Sequence, residues 1–264
     1  DSYFTAFTSD GFNLALGGGS FNTSSGSYVA WNWKANGSGS TNTAGSITST
    51  VSANTTSGFS VVTFTAPSSG SGTVGHGLGV APNMMIWKSR SNADSWTTYH
   101  TSLGGSSALF LNSTNASFGL TWGTINSTLF TADTSQNCTA SRTYVAYCFA
   151  EVAGYSKFGS YTGNGSADGP FTYTGFRPAF VMIKSTGTGD WCMFDTTRNP
   201  SNVVDLQLFA DTSQSESGIG SSTFLDILSN GFKNRNTATD KNANGGVYIY
   251  MAFASNPFKT SLAR

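Results

Sequence analysis

Part of this chain is written twice, and that constrains its fold more than any other feature. Gly58-Phe59-Ser60 returns as Gly154-Tyr155-Ser156, an offset of 96 (154 − 58). Pro82 returns as Pro178 and Lys88 as Lys184, again 96 apart, and Trp96 returns as Trp191, 95 apart. Each tryptophan follows an aspartate-containing turn, at Asp94 and Asp190. Tyr144-Val145 returns as Tyr248-Ile249 at an offset of 104 (248 − 144), so insertions collect late in the unit. Ordered matches at a nearly constant spacing predict a repeated supersecondary unit. A partial third copy opens the chain. Ser9-Asp10-Gly11-Phe12 with Tyr28 mirrors Ser229-Asn230-Gly231-Phe232 with Tyr248, the Phe-to-Tyr spacing being 16 in both (28 − 12 and 248 − 232). The expected organisation is 1–35 as closing strands of a partial repeat, 36–57 as linker with a further strand, 58–152 as one repeat, and 153–264 as a second with a C-terminal tail. An opening at Asp1 without methionine suggests a fragment or a processed product.

The aligned ends of the copies show what the unit is made of. Val29, Trp31 and Trp33 alternate with Tyr28, Ala30 and Asn32; Val145, Tyr147 and Phe149 with Tyr144, Ala146 and Cys148; Ile249, Met251 and Phe253 with Tyr248, Tyr250 and Ala252. A period of two, with a large face and a smaller one, fits a strand covered on both sides. Cys148 takes the slot of Asn32 and Ala252, so it reads as a small buried thiol. Turn signals place further strands at 61–65, 84–88, 95–99, 108–111, 128–131 and 143–150, then at 172–176, 180–184, 191–194, 205–209, 224–228 and 247–253. A short helical turn is admitted near 223–228. The fold class expected is all-β, as tandem antiparallel β-sandwich (jelly-roll-like) repeats with little helix.

Composition narrows function. Charged residues make up 10% of the chain and the formal net charge is zero, so no basic face is present to bind phosphates, and neither nucleic acid nor anionic lipid is an expected partner. No apolar run approaches the length that spans a bilayer. Three cysteines, Cys138, Cys148 and Cys192, make neither a disulfide framework nor a zinc motif.

Val74-Gly75-His76-Gly77-Leu78-Gly79-Val80-Ala81-Pro82, Tyr144-Val145-Ala146-Tyr147-Cys148-Phe149-Ala150-Glu151 and Gly175-Phe176-Arg177-Pro178-Ala179-Phe180-Val181-Met182-Ile183-Lys184 carry a resemblance. Across roughly 28–262 the chain resembles a repeat-domain family of unassigned function found in structural and tail proteins of tailed, often marine, phages. The resemblance implies a virion protein, homo-oligomeric and in contact with other virion proteins. It implies a tail fibre or appendage that contributes to host-surface adsorption through a surface glycan or protein. The alternatives are a purely structural capsid or tail accessory protein and, third, a polysaccharide-degrading tailspike. The family has no assigned catalytic residues to carry over.

The residues themselves favour a protein that is not an enzyme and needs no cofactor. His76 and His100 are not retained at the repeat offset and read as polar turn residues. A glycosidase needs two carboxylates at a set separation, and no sequence pattern pairs them here. Asp240-x-Asn242-x-Asn244-Gly245 has the first half of a calcium loop but Met251 where the bidentate glutamate belongs; Asp240, Asn242 and Asn244 are the metal candidates, with a hairpin turn as the plain reading. If the repeats bind a glycan, loops on a β-scaffold carry the contact. That points to the hairpins after the central strands, with Arg90, Asp94 and Trp96 in one copy and Asp190 and Trp191 in the other.

Overall fold

The computed structural model describes residues 4–8, 11–15, 22–216 and 223–255, and the chain forms two compact units, Asp1–Trp33 and Lys34–Arg264. It is all-β. Among the described residues helix is confined to α1 (Thr239–Asn242) and one 3-10 turn (Thr101–Leu103), and every ladder between strands is antiparallel.

The first unit holds one hairpin, β1 (Phe4–Phe7) and β2 (Phe12–Leu14). Phe4 lies 4.7 Å from Phe7 and 5.0 Å from Phe12 between ring centroids. The closing strand expected at 28–33 is a correction: those residues are in no strand. A closing strand in this chain is held by ladders on both edges, and here the only described strands pair with each other. Ser9, Asp10 and residues 16–21 lie outside the described residues. The aligned tyrosine nevertheless keeps a contact: the Tyr28 hydroxyl accepts from the Thr23 N–H at 2.9 Å.

In the second unit, residues 34–152 form β3 (Ser40–Asn42), β4 (Ser49–Asn54), β5 (Phe59–Thr65), β6 (Ser71–Gly75), β7 (Met84–Ser89), β8 (Thr97–His100), β9 (Ser107–Phe110), β10 (Phe118–Gly119), β11 (Leu129–Asp133) and β12 (Thr143–Phe149). They make a large sheet, β10-β9-β8-β7-β12-β5-β4-β3, and a small one, β11-β6. Residues 153–255 form β13 (Ser156–Thr162), β14 (Phe171–Tyr173), β15 (Pro178–Ser185), β16 (Trp191–Asp195), β17 (Leu208–Phe209), β18 (Leu225–Leu228), β19 (Gly231–Asn234) and β20 (Val247–Ala254). These make sheets β13-β20-β15-β16-β17 and β14-β19-β18.

The order β5-β12-β7-β8-β9 is thus matched by β13-β20-β15-β16-β17, and β6-β11 by β14-β19. Registers match too. Tyr144 lies opposite Phe64 and Ser89, and Tyr248 opposite Tyr161 and Ser185. Phe130 faces Val74 as Phe232 faces Thr172. Both closing tyrosines hook back five residues: the Tyr144 hydroxyl accepts from Thr139 N–H at 2.8 Å and the Tyr248 hydroxyl from Ala243 N–H at 2.7 Å. Tyr28 does the same to Thr23.

Several expected boundaries move. β3, β6, β10, β13 and β19 lie where no strand was expected. The strand expected over 172–176 stops at Tyr173, because Thr174 donates its hydroxyl to the Phe176 carbonyl at 2.6 Å and Gly175 turns at φ 86°. That expected over 205–209 shrinks to β17, since Asn199 holds Asp205 and the Leu206 N–H out of the ladder. The helical turn admitted near 223–228 is strand β18. Helix appears instead at α1.

Each half buries an apolar core between its two sheets. Val62, Phe64, Trp87 and Ala146 meet Val74 and Phe130 in the first; Tyr161, Val181, Phe194 and Tyr250 meet Leu225 and Phe232 in the second. The halves also pack on each other. Phe149 lies 6.2 Å from both Phe158 and Phe253, the Trp191 indole N–H donates to the Phe110 carbonyl at 2.9 Å, and Ser117 N–H donates to the Thr186 carbonyl at 2.8 Å. This second cover explains why β20 is buried on both faces from Tyr248 to Phe253.

Candidate functional site

Beside the β7–β8 hairpin of the first half lies a cleft of about 300 Å³, the small end of the range for ligand pockets. Trp87 and Tyr144 come to it from the inner face of the large sheet, and Phe110 and Phe118, with ring centroids 4.5 Å apart, add an aromatic wall. Asp94, Ser95, Gln136 and Thr139 supply polar groups. Their positions follow from the local chain. The Asp94 carboxylate pairs with the Arg142 guanidinium at 2.5 Å. The loop after β11 is folded by Asn137, which accepts from Asp133 N–H at 2.9 Å and donates to the Thr131 carbonyl at 3.0 Å. Gln136 is fixed through its side-chain oxygen, which accepts from Thr121 N–H at 3.1 Å. The Tyr144 hook holds Thr139 at the rim.

Cys138 also lines the cleft. Burial, with the Asp133 carboxylate adding to it, pushes its thiol up to about 11, so it stays protonated at neutral pH and is no nucleophile. The one carboxylate among the lining residues, Asp94, is already ion-paired. Aromatic faces together with hydroxyl, amide and carboxylate groups suit a small hydroxylated ligand held by stacking and hydrogen bonds.

The five residues expected to make surface contacts are not brought together. Asp94 lines the cleft. Arg90 is exposed on the hairpin, its N–H donating to the Thr143 carbonyl at 2.8 Å. Trp96 is on the other face of the sheet, stacked at 6.3 Å on Tyr147, which points away from Tyr144 along β12. In the second half the expectation is corrected. Trp191 is buried, and the hairpin beside it packs on the first half, with Gly189 N–H donating to the Thr114 carbonyl at 2.8 Å. Asp190 is half-buried at the same hairpin. A long apolar ring there closes the gap between the halves instead of facing a ligand.

Nor do Asp240, Asn242 and Asn244 offer their oxygens to one point. α1 replaces the alternating loop. Asp240 Oδ2 accepts from Lys241 Nζ at 2.7 Å and from the Cys192 thiol at 3.3 Å; Asn242 is buried, its Oδ1 accepting from Asn164 N–H at 2.9 Å; Asn244 is exposed. Asp240 and Lys241 stand where Gln136 and Asn137 stand in the first half (240 − 136 = 104). Lys241 is buried with its ammonium 4.9 Å from the Phe224 ring, where the first half has Asn137 lining the cleft.

Both histidines are buried, and each ring accepts from the N–H two residues on, as a polar turn residue does. His76 Nδ1 accepts from Leu78 N–H at 3.2 Å and its Nε2 meets the Asn126 carbonyl at 3.0 Å. His100 Nδ1 accepts from Ser102 N–H at 3.1 Å and its Nε2 meets the Tyr250 carbonyl, in the other half, at 3.1 Å. Each is therefore a neutral ring with its proton on Nε2. Burial pushes the His76 pKa down and that of His100 down to about 4. Of the residues lining the cleft, Asp94 alone was expected to make a contact; Trp87 and Tyr144 read only as strand residues, and Phe118 lies in a stretch where the repeat offset gives no register. The signal that could have found Gln136 is its place eight residues before the recurring tyrosine (144 − 136).

No curated protein and no solved structure matches the chain. A family model, the Domain of unknown function (DUF7483), matches residues 1–257, nearly the whole length, and the chain belongs to that family.

Proposed function

We propose that this chain is a non-enzymatic component of a tailed-phage particle, built from two copies of one β-unit, homo-oligomeric, and contributing to adsorption on the host surface through a glycan. The observation that carries the reading is the cleft: an aromatic wall and a polar rim around a space of about 300 Å³. A single, ion-paired carboxylate supports binding over hydrolysis, which calls for two. The matched strand orders and registers support the duplication. The resemblance to phage tail and structural proteins supplies the particle.

The test is a host-polysaccharide binding assay with the chain and with Gln136→Ala and Phe118→Ala. Binding that weakens about tenfold or more in both variants supports the reading. Intact binding in both removes the cleft from it, and reducing-sugar release would replace it with the depolymerase reading. A purely structural role is the second reading, favoured by one observation: the second hairpin, with Trp191, is spent on contact between the halves. No binding at high avidity would select it.

A further inference from the structure

The two halves differ at one flank. In the first, the hairpin of β3 and β4 closes both sheets together. β4 pairs with β5 from Ser49 to Asn54. The turn of the same hairpin reaches β6: Ile47 N–H donates to the Thr73 carbonyl at 2.9 Å, and Ser46 and Thr73 exchange backbone-to-hydroxyl bonds at 3.0 and 2.9 Å. The outer edges of β5 and β6 therefore lie on the same side. Equal strand order and register put the outer edges of β13 and β14 on the corresponding side of the second half. No described strand pairs with either of them there.

β13, seven residues long, is the longest sheet-terminal strand among those described. Beside it Phe171 and Tyr173 stand out from β14, 47% and 62% exposed. Their counterparts by register are Thr73 and Gly75, which the hairpin covers in the first half: a Cβ at Gly75 would meet Asn42. Large rings are thus exposed where the first half has small residues under cover.

We propose that a second copy of this chain closes the open flank, β13 pairing antiparallel with the other copy's β13 across a two-fold axis and Phe171 and Tyr173 of each covered by the other. Three observations select this occupant. A strand of this chain already fits the equivalent edge, so the flank takes a β-ladder. A two-fold contact sets each charge near its own copy. β13 and β14 carry one charged residue, Lys157, and Glu151 neutralises it at 2.7 Å. Finally, an edge left in water is ordinarily blunted by shortness, proline or charge, and β13 is seven residues long, has no proline and carries one lysine, which Glu151 pairs. The proposal gives a surface to the oligomeric part of the function proposed above and does not depend on glycan binding.

Sedimentation equilibrium on the full chain tests it, over roughly 1–100 μM. A reversible monomer–dimer equilibrium is expected. Ser160→Lys combined with Tyr173→Lys places new charges at exposed positions and raises the dissociation constant about tenfold or more, with an unchanged far-UV spectrum. Phe171→Lys alone shifts it in the same direction and serves where the double variant does not fold. A chain monomeric throughout that range, a trimer, or a dimer equally strong in the folded lysine variants overturns it. Glycan binding by a monomer would leave adsorption standing and this interface refuted.

Discussion

The hydroxyl of Tyr248 does more than its place at the start of a strand suggests. It accepts from Ala243 N–H and donates to the Thr239 carbonyl, both at 2.7 Å, and so ties α1 to the closing strand. Tyr144 makes the accepting bond alone. Tyr248→Phe should therefore destabilise by about 2 kcal/mol and Tyr144→Phe by about 1 kcal/mol, read from urea unfolding; equal and negligible losses would show that the hooks carry no stability. At this scale the sequence was half legible. The recurrence of Tyr28, Tyr144 and Tyr248 is plain, but the acceptor role of a phenol depends on where a loop returns, which no alternation records. His76 and His100 show the same limit: a histidine beside glycines or at the end of a strand reads as a polar turn residue, and its burial shows only when the covering element is known, which for His100 is β20, 150 residues away.

Among the elements, the central strands β7 and β15 were readable because each carries a continuous apolar run, Met84–Trp87 and Phe180–Ile183, as a strand buried between neighbours does. The short strands of the small sheets were not. β6 is Ser-Gly-Thr-Val-Gly, with one side chain that demands burial, and its place comes from β11 and from the turn at Ile47. The recurring lysines at the ends of β7 and β15 also separate only in three dimensions. Lys88 donates to the Asn92 carbonyl at 2.9 Å at the surface. Lys184 is buried and donates to the carbonyls of Asn115, Ser185 and Gly187 at 3.1, 2.9 and 3.0 Å, joining its own hairpin to the first half. Burial pushes its pKa down to about 8. Lys184→Met leaves those carbonyls unpaired and should cost about 3 kcal/mol, against less than about 0.5 kcal/mol for Lys88→Met. Matching unfolding midpoints for the two variants would contradict this.

Across the whole molecule, the His100 bond to Tyr250 makes the packing of the halves sensitive to acid. The ordinary histidine value is 6.5 and the folded value about 4, so the unfolded chain takes up the proton first. The stability tied to a neutral His100 is present in full above pH 6.5 and is lost as pH falls from 6.5 towards 4, by about 3 kcal/mol in all. His76, lowered in the same direction, adds to the loss. The unfolding midpoint should drop between pH 7 and pH 5, and drop less in His100→Gln; an equal drop in that variant would mean that the acid sensitivity arises elsewhere. The all-β class was legible, because alternation is a property of the string. The cleft was not, because Asp94 comes from one hairpin and Gln136 from the loop after β11, and only the closed sandwich makes them neighbours.

The pairing of β4 with β5 has a practical corollary for anyone dividing this protein. Gly58, where the recurring residues at the offset of 96 begin, falls between two partnered strands, so a fragment started there would lose a ladder of six residue pairs and the bridge at Ile47. The recurring text and the paired strands have different left margins: the matches begin at the glycine, while the strands laddered onto β5 begin at Ser40.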